Sequence, residues 1–278
     1  MILQFSGSGA AEGFPAVFCH CESCTQARRD LQKECRTRSQ VLVDGKLLID
    51  FPADSYLHSL RFGTDLSAVQ ALLVTHSHTD HFYAQEFVNR GHKFAFDLVS
   101  PTLDLYGNAE VLSVFAEDTR REMRDGVRQN LRLHECGPFQ QFTAAGYEIF
   151  TLPAVHTPKE QALLYCIRKD KTLLYLNDTG FPQEECFAFL KEKGIRADFV
   201  SMDCTFADDA RPHSGRHMGF AENVRLREAL MRFGIAGKDT QFCATHFSHN
   251  SAPFRDRLCA VAKEYGFLAA YDGFKIEF

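Results

Sequence analysis

The run Thr75-His76-Ser77-His78-Thr79-Asp80-His81 directly follows the apolar segment Ala71-Leu72-Leu73-Val74, and it constrains this chain more tightly than any other stretch. Four metal-binding side chains fall within six residues where a strand-like segment leaves the core. In extended backbone alternate side chains share a face, so His76 and His78 project together and can share one metal. A turn beyond them can aim the adjacent Asp80 and His81 at a second. A polar loop merely rich in histidine is the plain alternative, and the complete H-x-H-x-D-H spacing behind an apolar strand argues against it.

The rest of the chain reads as an ordinary globular protein. Its 278 residues are 45% hydrophobic and 24% charged, enough to bury a sizeable core without staples. Lys+Arg 31 against Asp+Glu 36 leaves a net charge of −5, the wrong sign for a surface that collects nucleic acid, so no nucleic-acid partner is expected. Apolar runs end after a few residues, far short of the ~20 that cross a bilayer, and no membrane partner is expected. Met1 to Phe5 runs at once into Ser6-Gly7-Ser8-Gly9, which leaves no room for a secretory signal and sets a cytoplasmic expectation. In a reducing compartment clustered thiols are metal ligands before they are disulfides.

No linker, composition break or repeat divides the chain, so residues 1–278 are expected to form one domain. Two apolar arms around Asp44-Gly45 predict a hairpin over 40–51. A second hairpin is predicted with arms 162–168 and 172–177, after an incoming strand at 148–155. Residues 71–75, 199–203, 241–246 and 267–271 are also strand-like. Helical patterns cover 84–90, 109–124, 183–193, 221–233 and 253–265, with Pro253 at the start of the last. Hairpins interleaved with helices favour an α+β arrangement of sheets with helices outside.

On its H-x-H-x-D-H run the sequence resembles the metallo-β-lactamase superfamily, and the resemblance spans nearly the whole chain. It implies a four-layer αββα sandwich with metals at one edge between two sheets. It also implies later ligands after successive strands, offered here by His156, by Asp178 in Leu176-Asn177-Asp178-Thr179-Gly180, and by His246 in Ala244-Thr245-His246. By resemblance His76, His78 and His156 hold one metal, Asp80, His81 and His246 the other, and Asp178 bridges them. Two divalent ions ~3.5 to 4 Å apart can supply a hydroxide nucleophile at neutral pH and clamp an in-line displacement, the chemistry of a hydrolase. Imidazole and carboxylate suit Zn²⁺, Mn²⁺ and Fe²⁺ alike, so the metal stays open.

Cys19, Cys21 and Cys24 place three thiols in six residues beyond a glycine-bearing loop at 7–13. Three thiolates and one histidine close a tetrahedron, the mark of structural rather than catalytic zinc. Candidates for the fourth ligand are His20, Cys35 and His249. His20 would strain to turn inward, whereas His249 can face away from the active metals while staying near them, and His249 is favoured. A loop of free cysteines is the alternative. Gly7 to Pro15, the three cysteines, His246 and His249 together look like the cyclic phosphodiesterases that accompany carbon–phosphorus lyase. Those open phosphoribosyl 1,2-cyclic phosphate, so a small phosphate ester is the implied substrate. A similar cluster occurs in the pyrroloquinoline quinone biosynthesis protein, whose H-x-H-x-D-H segment is degraded, unlike this one. Residues 206–216 and Thr157-Pro158 depart from the phosphodiesterase pattern.

Gly215-Arg216-His217-Met218-Gly219 resembles the phosphodiesterase loop that carries a non-ligand histidine over the metals. The resemblance thus counts His217, with Asp80, among the catalytic side chains, His217 as general acid or phosphoryl-oxygen donor and His213 as its rival. Asp50 and Asp203 end strands and are candidate acceptors for ligand imidazoles. Arg211, Arg216 and Lys159 could hold a phosphate, although solvated surface charge is the simpler reading for each. Among rival activities, a tRNA-processing ribonuclease should carry a basic arm and a β-lactamase a signal. A glyoxalase-type thioesterase should carry a C-terminal helical region, yet only 32 residues follow His246. A lactonase or a non-catalytic binding protein completes the alternatives, and a homodimer is compatible with the chain but not required by it.

Overall fold

In the computed structural model, which describes residues 1–209 and 215–278, two seven-stranded sheets face each other. Strands β1 (Ile2–Gly7), β2 (Gln40–Val43), β3 (Leu47–Ile49), β4 (Ala71–Leu73), β5 (Leu103–Gly107), β6 (Leu131–Glu135) and β14 (Phe274–Glu277) form the first, in the order β14-β1-β2-β3-β4-β5-β6. The second runs β13-β12-β11-β10-β9-β8-β7, from β7 (Gln141–Ala144), β8 (Tyr147–Pro153), β9 (Leu163–Arg168), β10 (Thr172–Leu176), β11 (Phe199–Asp203), β12 (Gln241–Thr245) and β13 (Leu268–Ala269). Each sheet is antiparallel on the side of its first strands and parallel beyond β3 or β10.

Strand alternation divides the core into layers. Leu163, Tyr165 and Ile167 of β9 face the first sheet, with Leu3, Val41, Val43 and Ile49, while Leu164 and Cys166 face outward. The outward set packs against Phe187 and Leu190 of α6 (Glu184–Glu192), Leu226 and Leu230 of α7 (Phe220–Arg232), and Leu258 and Val261 of α8 (Arg255–Glu264). On the other flank, Leu48, Leu72 and Val74 pack beneath Val111 and Phe115 of α4 (Ala109–Thr119) and beneath Phe87. Period-two alternation in strands covered on both faces therefore builds the four layers, helix, sheet, sheet and helix.

Both predicted hairpins form, with registers Val43↔Leu47 and Thr172↔Arg168. The predicted helix at 84–90 is instead a 3₁₀ segment, Ala84–Asn89, whose cap Tyr83 makes no side-chain bond. The helix expected over 109–124 stops at Thr119, whose hydroxyl bonds back to the Phe115 carbonyl at 2.7 Å, a local competitor of the helical ladder. Helix α8 starts at Arg255, two residues later than Pro253 suggested. The strand expected at 267–271 shrinks to two residues, Leu268–Ala269. No helix among the described residues is long and apolar enough to cross a membrane.

Candidate metal centre

Three strand ends define the site. Asp50 after β3, Asp178 two residues beyond β10 and His246 after β12 adopt φ of 61°, 55° and 62°, left-handed backbone that costs a non-glycine residue of order 1 to 3 kcal/mol. The reversals lift these side chains out of the strand alternation and aim them along one edge of the sandwich. The H-x-H-x-D-H segment meets them from the end of β4.

His76 Nε2 lies 2.9 Å from His78 Nδ1, which lies 3.2 Å from His156 Nε2. Beside this trio, His81 Nε2 is 3.1 Å from Asp80 Oδ2 and 3.0 Å from Asp178 Oδ2. That same Asp178 oxygen is 3.3 Å from His76 Nε2 and 3.7 Å from His246 Nε2. Asp178 thus stands between two ligand sets, His76, His78 and His156 on one side, Asp80, His81 and His246 on the other. His81 Nε2, His156 Nδ1, His246 Nε2 and Asp178 Oδ1 are buried with no hydrogen-bond partner among the described residues. Orphaned buried polar atoms are costly, and imidazole nitrogens converging with carboxylates are the donor set that a pair of divalent cations satisfies. The residues therefore fit the group the sequence implies.

The surroundings fix which atoms are free to coordinate. Asp50, fully buried, accepts from His81 Nδ1 at 2.7 Å and from the backbone N–H and hydroxyl of Thr75 at 2.8 and 2.9 Å. With Nδ1 donating to Asp50, Nε2 is the His81 nitrogen that faces the site and can bind a metal once deprotonated. Thr205 Oγ1 lies 2.9 Å from His246 Nδ1, and Asp203 Oδ2 lies 3.4 Å from the same atom. Burial by itself would raise the Asp178 carboxyl, but His246, His81 and His76 hold it well below the usual carboxylate range. Burial likewise opposes ionisation of Asp80, and His81 lowers it. Desolvation, reinforced by His81, keeps His76 well below the ordinary imidazole value, and burial brings His156 down to about 4. Against burial, Asp80 and Asp50 raise His81 and Asp178 and Asp203 raise His246, so these two must give up a proton on binding, since neutral imidazoles and ionised carboxylates are the forms that bind metal.

His217 approaches from the other side. Its Nδ1 is 3.2 Å from both Asp203 Oδ2 and Asp178 Oδ1, and its ring stacks on His246 at 5.8 Å. Burial disfavours its charge, yet the Asp203 hydrogen bond and charge, with Asp178 behind, raise it to about 9. The loop is anchored twice. Asp203 Oδ1 accepts from Met218 N at 2.8 Å, and the Gly215 carbonyl lies so close to Gly180 that a Cβ there would collide with it. His213 and Arg211 fall outside the described residues.

The cysteine site lies apart from this cluster. The sulfurs of Cys19, Cys21 and Cys24 and a ring nitrogen of His249 all lie within 4.8 Å of one another, a four-ligand set of the size a tetrahedral zinc with ~2.3 Å Zn–S bonds requires. Backbone N–H groups of Ala16, Cys21 and Cys24 point at the sulfurs of Cys24, Cys19 and Cys21 at 3.3 to 3.5 Å. The Cys24 and Cys19 contacts lower the Cys21 thiol, whereas burial pushes Cys24 up to about 11. Glu12 accepts from His249 Nδ1 at 3.0 Å and from its backbone N–H at 3.1 Å, which leaves the other ring nitrogen for the sulfurs.

The structure thus brings all eleven candidate ligands into two groups and sets His217 beside the larger one. Sequence reasoning missed Glu12, Thr205, Gly180 and Glu160; only the Asp178-Thr179-Gly180 run offered a signal, since a glycine just past a ligand marks close backbone approach. Arg216 lines a cleft of about 410 Å³ that opens beside His156, with Thr157, Gln161 and Gln183 as its other polar walls. Lys159 is exposed near it in sequence only.

Comparison with known proteins agrees with this geometry. A diphosphatase of the PhnP family superposes with a TM-score of 0.73 at 23% identity, covering 100% of this chain and 97% of its own. Zn²⁺-bound PqqB from Methylobacterium extorquens gives 0.71 at 18% identity, with 100% of both chains covered. The short form of human tRNase Z gives 0.66 at 15%, covering 100% of this chain and 99% of its own. At such identities the likeness is one of fold. An octanoyltransferase of Porphyromonas gingivalis is 38% identical over 77 residues, 27% of this chain, and the match spans only 15% of that protein's length. Residues 46–257 match the family model described as the beta-lactamase superfamily domain. The chain belongs to the beta-lactamase superfamily and has the metallo-β-lactamase fold.

Proposed function

We propose that this protein is a dinuclear metal-dependent phosphodiesterase that opens a small cyclic phosphate ester such as phosphoribosyl 1,2-cyclic phosphate. The observation that carries the reading is the convergence of two complete ligand sets on Asp178 beside a histidine that is not needed by either set. When bound, two divalent ions supply a hydroxide nucleophile at neutral pH and Lewis-acid polarisation of the phosphoryl oxygens. His76, His78 and His156 would hold one ion, Asp80, His81 and His246 the other, with Asp178 shared. A third ion, zinc, would sit at Cys19, Cys21, Cys24 and His249 and serve the fold, because protein fills all four positions.

The chain's own contribution to the reaction centres on His217. With Nδ1 engaged by Asp203, its Nε2 is the atom available to substrate. A proton held there can be given to the departing alkoxide, or its hydrogen bond can stabilise charge on a phosphoryl oxygen. Asp203 fixes the tautomer and also holds the loop through Met218 N. The cleft beside His156, with the Arg216 guanidinium and two carboxamides in its walls, suits a polar, anionic leaving portion. Resemblance to a PhnP-family diphosphatase supports phosphoryl chemistry. Anomalous diffraction from a metal-replete crystal tests the reading. Two ions about 3.5 to 4 Å apart between the ligand sets are expected; one ion, or none with these side chains pointing apart, would overturn it.

A further inference from the structure

The spacing of the first ligand pair poses a mechanical problem. His76 is buried and packed, but His78 is exposed and the intervening Ser77 is half-buried, so packing cannot hold the second histidine against the first. Whether His76 and His78 present nitrogens to one point depends on the orientation of the peptide groups at Ser77. Among the described residues one side chain bonds to that backbone. Both carboxylate oxygens of Glu160 accept from Ser77 N at 3.1 Å, and Oε1 also accepts from Ser77 Oγ at 2.6 Å.

Glu160 is itself tied down at two points. Asn108 Nδ2 donates to its Oε2 at 2.8 Å and to the Gln161 carbonyl at 2.9 Å. Asn108 Oδ1 meanwhile caps α4 by accepting from Val111 N at 2.9 Å. Glu160 lies four residues beyond His156, on the loop that carries this third ligand. One carboxylate therefore ties the backbone between His76 and His78 to the segment bearing His156, and its other end is fixed to the buried Asn108 that caps an outer-layer helix. It is not among the converging ligand atoms.

We propose that Glu160 is a positioning residue that aligns His76, His78 and His156 as one three-histidine ligand set, while Asp50 and Asp203 orient His81 and His246 of the other set. The proposal rests on the two-ion reading above. Loss of a group that orients ligands weakens metal binding by roughly 10- to 100-fold, and here the loss is confined to one ion of the pair. Ser77 Oγ supplies only one of the bonds, so its removal has a smaller effect.

The test is a competition titration of metal-stripped protein with Zn²⁺ against a chromophoric chelator, resolving the two cleft ions from the cysteine-bound one. Glu160→Ala should weaken one cleft ion by ~10- to 100-fold and leave the other, the cysteine-bound zinc and the melting temperature of the stripped protein unchanged. Glu160→Gln, which keeps one acceptor for Ser77, should fall between. Adding Ser77→Ala to Glu160→Ala should cost nothing further, because the bond is already lost. Equal weakening of both cleft ions, or no weakening, would overturn the proposal, as would additive losses in the double variant. Wild-type protein that binds a single cleft ion would refute the two-ion reading separately; insensitivity of that ion to Glu160→Ala would refute the positioning role as well.

Discussion

Gly180→Ala is the substitution that most directly separates the His217 loop from the metal ligands. Gly180 is outside the left-handed region, so its backbone accepts alanine and the cost is steric. An added Cβ would sit 2.8 Å from the carbonyl carbon of Gly215 and closer to its oxygen, against ~3.5 to 4.0 Å for ordinary contact. Relief of the closer contact, with the oxygen, requires a shift of more than about 1 Å. The loop cannot simply swing away, because Met218 N is held by Asp203 and His217 lies between Asp203 and Asp178. Displacing a catalytic group by about 1 Å costs ~10²-fold, or ~2.7 kcal/mol of transition-state stabilisation. The assay is kcat for a phosphodiester with a poor alkyl leaving group, with metal content and melting temperature measured alongside. A drop near 10²-fold with metals retained is expected, and Gly180→Ala should add nothing to His217→Ala. Wild-type kcat in Gly180→Ala would refute the argument, since either the loop absorbs the methyl without moving or His217 takes no part.

His217→Ala should retain its metals yet lose ~10²- to 10⁴-fold in turnover. If His217 is a general acid the loss should shrink with p-nitrophenyl esters, and if it stabilises an oxyanion the loss should persist. Asp203 and Asp178 raise this imidazole to about 9 and nearby dications pull it back, so the acid form is present at low pH and disappears as pH rises. The wild-type rate should therefore show an alkaline limb below about 9 that His217→Ala lacks, and a limb surviving in the variant would assign it elsewhere. Cys21→Ser should remove the third zinc and lower the melting temperature by ~5 °C or more, because structural zinc binding is linked to folding. Unchanged zinc and melting temperature would reject the site.

The motif at 76–81 was legible because its ligands follow a strand within six residues, and the hairpins because Asp44-Gly45 and Lys169-Asp170-Lys171 separate runs of buried aliphatics. His156, Asp178 and His246 were legible only by resemblance. Nothing local distinguishes them from structural histidines and aspartates, since Asp178 and His246 are defined by a reversal of backbone at strand ends and His156 by its approach to His78 across the fold. The edge strands β6 and β7 escaped detection because they are partly exposed and their alternation is weak. Glu160 and Glu12 act across 83 and 237 residues of sequence, on Ser77 and His249, and a distance of that order leaves no pattern in a single chain. The 3₁₀ segment at Ala84–Asn89 has a helical apolar pattern over too few residues to stabilise an α-helix.

The central claim is phosphodiester hydrolysis at a two-metal centre. Its most direct measurement is turnover by metal-reconstituted protein of three substrates side by side, a phosphodiester, a lactam and a thioester. The account predicts that the phosphodiester is hydrolysed with a rate that requires metal and falls in His217→Ala, while the lactam and thioester are turned over far more slowly. Faster hydrolysis of the lactam or thioester, or no phosphodiester turnover with both cleft ions bound, would contradict it.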